Sequence, residues 1–212
     1  MIIPHGRPSL VEQIVQVATI PIIPSRMGNC YLYWDASGSL DKVHQMIVDS
    51  HSCRPDAVNR IEKVLLHESH SENSITRLWN RLQEEGFEIR ADGATAQNYS
   101  LEPTEESDWD NAYLTKTVAF RQVRDNNAAT KWINQHSSGH ADSIVTADYT
   151  ESRKFMANCR SASLYINSSP LFVRNAKQTG DIAIGASNYK GAAGGLIGMA
   201  VLRERQRICH GC

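Results

Sequence analysis

The chain carries five cysteines, at positions 30, 53, 159, 209 and 212, and eight histidines. These are the side chains that do nucleophilic, redox or metal chemistry at neutral pH. An odd, scattered set of thiols suits free cysteines in a reducing compartment rather than a disulfide framework. Cys209-His-Gly-Cys212 has redox spacing, but a thioredoxin-type pair needs a helix start after it, and here a tail ends at Cys212. It reads as a frayed terminus. His67 and His70, and His136 and His140, stand at spacings a metal uses on a helix. They fall at a strand end and in a loop with no fixed carboxylate or thiol beside them, so they read as surface histidines, with no metal site. Gly191 to Gly198 is glycine-rich. It lacks both the strand–GxGxxG–helix setting of a dinucleotide fingerprint and the Lys-Ser/Thr of a phosphate loop.

The elements that must position these residues follow from periodicity. Leu10, Ile14 and Val17 share one face of a helix predicted over Ser9 to Ala18. Asn29 to Trp34 is aromatic and strand-like. A helix capped by Ser37 or Ser39 runs to about Ser50, with Leu40, Val43, Ile47 and Val48 on its apolar side. Glu62 to His67 is a strand. A helix from Ser71 or Ser74 reaches about Glu85, ended by Gly86, and Phe87 to Arg90 is a short strand. Residues 91–112 are polar and acidic, and read as a solvated surface loop. Thr117 to Val123 is a strand, Asp125 caps a helix, Asp142 to Thr146 is a buried strand, Asp148 caps a helix to Cys159, and Ala162 to Asn167 is a last strand. Strands alternating with helices predict an α/β fold: a mostly parallel sheet with helices on both faces.

Composition excludes several functions. The net charge is −1, which gives no electrostatic footprint for nucleic acid or an anionic membrane. No apolar run reaches the length of a spanning helix. Neither a secretory signal nor a mitochondrial presequence is read at the N-terminus, so a cytoplasmic location is expected.

Arg54, Pro55, Asn59, Glu62, Leu65, Leu66 and His67 form a frame that resembles the nucleophile segment of γ-glutamyl phosphate reductases, a branch of the aldehyde dehydrogenase superfamily. Further stretches are similar to the same family. They are Gly28, Asn29, Cys30 and Asp35; then Glu106, Asp108, Trp109, Tyr113 and Leu114; then Ser138, Gly139, His140, Asp142, Ile144, Val145, Thr146 and Asp148; and finally Asn167 with Ser168 and Ser169. The resemblance implies an aldehyde-dehydrogenase-like catalytic domain. It also implies a catalytic cysteine between the Arg-Pro pair and Asn59, and that position is Val58. Pro170, Leu171 and Phe172 stand where the family carries Thr-Arg-Phe, so a cation that binds an anion is missing there.

These departures lead to an expectation of lost chemistry. Valine has no lone pair and no proton to lose, and a covalent thio-intermediate needs a thiolate. The implied organisation is a remnant of a dinucleotide-binding domain over 1–28, a catalytic-type domain over 29–170, and a remnant or oligomerisation segment with a tail over 171–212. The first half of such an enzyme would then be missing, and no cofactor is expected. The chain is also similar to an uncharacterised insect family of short reductase-like proteins. The expected function is thus a non-catalytic pseudoenzyme in a structural or assembly role, of the cytoskeletal or sperm-flagellar kind. Val58, Asn59, Glu62 and Asn167 would be its vestigial site. Ile2, Ile3, Val11, Ile14, Ile182, Ile184, Leu196, Ile197 and Val201 would meet a protein partner or a second copy. Two alternatives stand beside it: a metabolite-sensing module using Asn59, Asn167 and Ser168, and a residual oxidoreductase with Cys53 as nucleophile.

Overall fold

The computed structural model describes residues 2, 4, 8–22, 27–52, 59–170, 188–189 and 195–196. Seven strands form one sheet in the order β4-β3-β5-β2-β1-β6-β7. They are β1 (Cys30–Trp34), β2 (Ile61–His67), β3 (Glu88–Ala91), β4 (Glu102–Pro103), β5 (Thr117–Val123), β6 (Ala141–Val145) and β7 (Ser163–Ile166). Every pairing in this sheet is parallel. The predicted α/β fold is therefore observed. Parallel strands need covered faces, and β1 and β2 are buried along almost their whole length.

Strand alternation sorts the core into two layers. Leu32 and Trp34 of β1 face a cluster with α2 (Leu40–His51) and α3 (Glu72–Glu84), through Val43, Ile47, Ile75, Leu78 and Leu82. Tyr31 and Tyr33 face the opposite layer with α5 (Asn126–His136) and α6 (Tyr149–Asn158), through Ala129, Ile133 and Phe155. No helix among the described residues is long and apolar enough to cross a membrane.

Local chemistry fixes the ends. Ser71 Oγ accepts from Ser74 N (3.3 Å), Asp125 Oδ1 from Ala128 N (2.8 Å), and Asp148 Oδ1 from Thr150 N (2.6 Å), so these three caps are the predicted ones. Ser39 is the N-cap of α2, without a side-chain bond, while Ser37 turns to Asp35 and Thr146. Gly86, at φ +83°, ends the α3 segment. α1 (Pro8–Val17) precedes the sheet, and Ile2 bridges to Ile22. A hairpin of β8 (Asn188–Tyr189) and β9 (Gly195–Leu196) is antiparallel.

The loop expected over 91–112 is a correction. It holds α4 (Gly93–Tyr99), capped by Asp92 through Thr95 N at 3.1 Å, then edge strand β4, then a 3₁₀ turn over Glu106–Trp109. Its polarity belongs to an edge: Glu102 and Pro103 of β4 are exposed, which is where proline and charge are tolerated in a sheet. Its few apolar residues turn inward. Trp109 is buried, and Tyr99 meets Trp79 edge-on at 5.0 Å.

Candidate active site

Part of the family frame, Asn29, Asn59, Glu62, Tyr113, Ser138 and His140, lies at the N-terminal ends of the strands, while Asp35, Thr146, Asp148 and Asn167 lie at their C-terminal ends. Asn29 lies just before β1. Its Nδ2 donates to the carbonyls of Trp109 (2.7 Å) and His136 (3.1 Å), and its backbone N–H donates to Ser138 Oγ (2.8 Å). Ser138 in turn meets His140 Nδ1 at 2.8 Å. One asparagine thus ties together the start of β1, the 3₁₀ turn and the loop that enters β6. Beside it, Asp142 accepts Tyr31 N (2.7 Å), Ser137 Oγ (2.6 Å) and Ser161 Oγ. The family's Ser-Gly-His stretch is a wall of this edge. His136 and His140, expected on the surface, are buried: His140 Nδ1 meets buried Ser138, and His136 Nδ1 reaches out to the exposed Asp110 carboxylate at 3.0 Å.

The entrance to β2 is pinned as firmly. Ser50 Oγ, at the end of α2, accepts from Ile61 N (3.1 Å), and His51 Nε2 lies 2.9 Å from the Ile61 carbonyl. Asn59 is buried and its Nδ2 donates to the Pro170 carbonyl (3.2 Å), while its Oδ1 takes no hydrogen bond. The segment 53–58, with Cys53 and Val58, lies between these anchors and outside the described residues.

Glu62 points its carboxylate at the chain entering β5, where Oε2 accepts from Tyr113 N (2.5 Å) and Oε1 from Leu114 N (3.0 Å). Burial holds its pKa up, against the pull of Lys63 and the two backbone donors. Lys63, equally buried, donates to the Asn111 carbonyl (3.1 Å) and sits 3.8 Å over the Tyr113 ring; burial lowers it to about 8. Glu62 therefore clasps a connection. Asn167 stands at the other end of the sheet, after β7. It has φ +53°, and its amide accepts from Thr146 N (3.0 Å) and donates to Thr146 O (2.8 Å), so it does not share an edge with Asn59 and Glu62.

Of the interface candidates, Ile2 and Ile14 are half-buried and Val11 is buried. Leu196 lies in β9, while Ile3, Ile182, Ile184, Ile197 and Val201 are outside the described residues, as are Cys209 and Cys212. The fully buried Cys30 thiol is held well above its usual range by burial and then by the Asp142 charge. Burial pushes Cys159 up to about 12. Neither is a ready thiolate at neutral pH. Sequence reasoning left Asn29, Ser138 and His140 out of the site. The signal was their place in the family stretches, and what hid it was that their bonds span more than 100 residues of chain.

No family model matches the chain. The chain is 44% identical over its whole length to γ-glutamyl phosphate reductase 2 of Synechocystis sp., covering 51% of that protein. It is 31% identical to γ-glutamyl phosphate reductase of Gloeobacter violaceus, again over the whole chain and 51% of the relative. The crystal structure of γ-glutamyl phosphate reductase from Thermotoga maritima superposes with a TM-score of 0.82 at 27% identity, covering 98% of this chain and 52% of that one. An acetylating aldehyde dehydrogenase from Geobacillus thermoglucosidasius, at 17% identity and a TM-score of 0.69 over 99% of this chain and 56% of that one, shares the fold. The chain thus spans about half the length of the curated relatives it matches.

These relatives overturn the expectation of a pseudoenzyme with a structural or cytoskeletal role. Proteins similar to this chain along its entire length are named for a reductase reaction. The physical reason the expectation failed is its narrow footing. Val58 excludes a thiolate at one position, not in the segment, and the same segment carries Cys53. Nor do the relatives support an insect family of short proteins, and they favour a metabolite sensor no better. The chain is an α/β domain of the aldehyde dehydrogenase type, similar along its full length to about half of a γ-glutamyl phosphate reductase.

Proposed function

We propose that this chain provides the acyl-transfer half of a γ-glutamyl phosphate reductase, with Cys53 as its nucleophile. The observation that carries this reading is the 44% identity, along the entire chain, to a protein named for that reaction. Place in the sequence points to the cysteine: Cys209 and Cys212 lie far from the family frame around Asn59 and outside the described residues. Cys30 and Cys159 are locked in the core with raised pKa values, whereas Cys53 belongs to the segment anchored by Ser50, His51 and Asn59. In the step proposed, the Cys53 thiolate adds to the γ-acyl carbon, the C–O bond to phosphate breaks, and inorganic phosphate leaves with its electron pair. The product is an S-glutamyl thioester, ready for hydride reduction to the aldehyde. Asn59 lies next to this segment, on the chain that enters β2, and supports the reading as a polar group beside the acyl chain.

A reductase also needs a hydride donor. In sequence, the glycine-rich run Gly191 to Gly198 carries no GxGxxG fingerprint, so the hydride donor's site is left to the partner. A protein partner or a second copy is part of the proposal, meeting the apolar side chains that α1 and its exit leave exposed: Leu10, Val15, Val17 and Ile20.

The test is a single-turnover experiment with γ-glutamyl phosphate made in place by a glutamate kinase. The expected result is one phosphate released and one glutamyl adduct per chain, mapped to Cys53 by mass spectrometry and missing in Cys53→Ser. An adduct mapped to another residue removes Cys53 from the reading. No adduct, together with no semialdehyde when a reduced nicotinamide and the remaining half of the Synechocystis relative are supplied, overturns the reductase itself.

A further inference from the structure

The chain that leads into β5 is a strap laid across the N-terminal end of the sheet. It runs from Asp110 to Leu114, between the 3₁₀ turn at Glu106–Trp109 and β5. Its near end is fixed: the carbonyl of buried Trp109 accepts from Asn29 Nδ2 (2.7 Å) and Tyr31 Oη (2.6 Å). Its far end joins the ladder at Thr117, which pairs with Glu88 of β3. Between these ends, neighbouring side chains of β2 hold the strap's backbone. Glu62 accepts from the Tyr113 and Leu114 N–H groups, and Lys63 Nζ donates to the Asn111 carbonyl.

Such a segment can lift while the sheet stays folded. Asn111 and Leu114 are exposed, so little packing is lost when it does. Leu114 sits at φ +59°, a left-handed conformation that a leucine keeps only when held, and opening releases it. Arg90 lies against the strap, 5.4 Å from the Tyr113 ring centroid. It also pairs with Glu88 (2.7 Å) and Asp108 (3.6 Å), but it is partly exposed, and such pairs hold weakly.

What the strap covers is a charge. Lys63 is fully buried, and the Asn111 carbonyl and Tyr113 ring that meet its Nζ at 3.1 and 3.8 Å both belong to the strap. A buried ammonium has given up its hydration, which favours the neutral amine. Facing Lys63 are Glu62 beside it (3.9 Å), Asp108 in the 3₁₀ turn, Cys30 of β1, Arg90 of β3 and Tyr113 of the strap. Burial brings Lys63 down to about 8, outweighing the carboxylates that hold it up. Burial raises the Cys30 thiol and the Tyr113 phenol, and the bond to Glu88 raises Arg90, so none of these titrates between pH 7 and 9.

We propose that the strap opens as a unit while the sheet stays folded, with Lys63 as its pH latch: opening hydrates the buried ammonium, and the strap shuts more tightly once Lys63 is neutral. The two states set the sign. In the open strap Lys63 titrates near its ordinary value of about 10.5. Opening therefore takes up a proton between about pH 8 and that value, and rising pH favours the closed form there. From pH 7 to pH 9 the open population falls about tenfold. The neutral amine still carries N–H donors, so the closed strap keeps its bond at Asn111. This device lies at the same end of the sheet as Asn59 and does not depend on the reductase reading.

Amide hydrogen exchange of the full chain tests this, followed by NMR from about pH 7 to about pH 9 and divided by the intrinsic exchange rate. At neutral pH the Tyr113 and Leu114 amides exchange ahead of those of Val64 and Phe120 in the sheet. Their opening equilibrium falls about tenfold across the window. In Lys63→Met, which keeps an apolar stem without the charge, that fall is lost. Exchange of Tyr113 and Leu114 only together with Val64 and Phe120 overturns the proposal. So does an opening equilibrium that changes less than about threefold, or an equal fall in Lys63→Met. Should Lys63→Met fail to fold, nitrogen NMR of the parent's Lys63 Nζ decides: a midpoint near 8 upholds the latch, and one above about 10 overturns it.

Discussion

His51 shows how one side chain couples the entrance of β2 to pH. Its ring is buried, edge-on to Phe87 at 5.0 Å, and bonded to the Ile61 carbonyl, so Nε2 carries the proton of a neutral imidazole. Burial lowers its pKa to about 4. An unfolded histidine titrates near 6.5, so between about pH 6.5 and 4 the unfolded chain takes up a proton that the native chain refuses. Stability contributed by neutral His51 is thus fully present above pH 6.5. It is lost as pH falls through that window, by roughly 3 kcal/mol at most. Urea unfolding at a series of pH values should show this slope, and His51→Gln, which keeps a donor for Ile61 but does not titrate, should flatten it. A slope unchanged by the substitution would assign the acid sensitivity elsewhere. The same residue shows what a sequence hides. A histidine in a polar run such as Asp49-Ser-His-Ser52 looks exposed, and only the fold reveals that the end of α2 dips beneath β2. His136 and His140 mislead for the same reason.

The connection between β4 and β5 behaves as part of the core, because Glu62 holds it. Removing that carboxylate strands the Tyr113 and Leu114 N–H groups, and Leu114 sits at φ +59°, a conformation it does not favour alone. Two lost charge-assisted bonds set the scale, so Glu62→Ala should cost on the order of 3 kcal/mol. Calorimetric unfolding measures the loss, and a cost below about 1 kcal/mol would mean that Tyr113 and Leu114 find water instead. Gly38 is a second fixed point. A Cβ there would collide with the Val145 carbonyl and lie 2.7 Å from Trp34 Cδ1, and the Trp34 indole already donates to Gly38 O at 2.9 Å. Gly38→Ala should therefore destabilise by about 1–3 kcal/mol, as overpacking does, with a lowered melting temperature as the readout. The major elements were legible because strand and helix carry their own periods and caps: Asp125, Asp148 and Ser71 announce their helices. α4 and β4 were not. A short helix on an edge shows too few apolar positions for a pattern, and the weight of Trp109 is visible only through its carbonyl's bonds to Asn29 and Tyr31.

At the scale of the whole molecule, the apolar side chains left exposed on α1 and its exit bear on the proposed partner. The sheet buries its apolar residues on both faces, yet Leu10, Val15, Val17 and Ile20 are 47%, 47%, 77% and 48% exposed along one short stretch. Isolated exposed aliphatics are ordinary, but four within eleven residues would suit the partner or second copy that the proposal includes. The curated relatives matched here are about twice the length of this chain, and the proposed reductase has work for a second body to do. If a copy or a partner covers α1, light scattering at rising concentration, alone and with the remaining half of the Synechocystis relative, should show a mass above that of one chain. Val17→Lys with Ile20→Lys should return that mass to one chain. Both sites are exposed, so the double variant should keep the parent's melting temperature; surface changes typically stay within about 0.5 kcal/mol. A single-chain mass in every mixture would remove the partner from the proposal and leave the acyl step to be judged on Cys53. A drop in melting temperature instead would mean that the side chains packed against the rest of this chain.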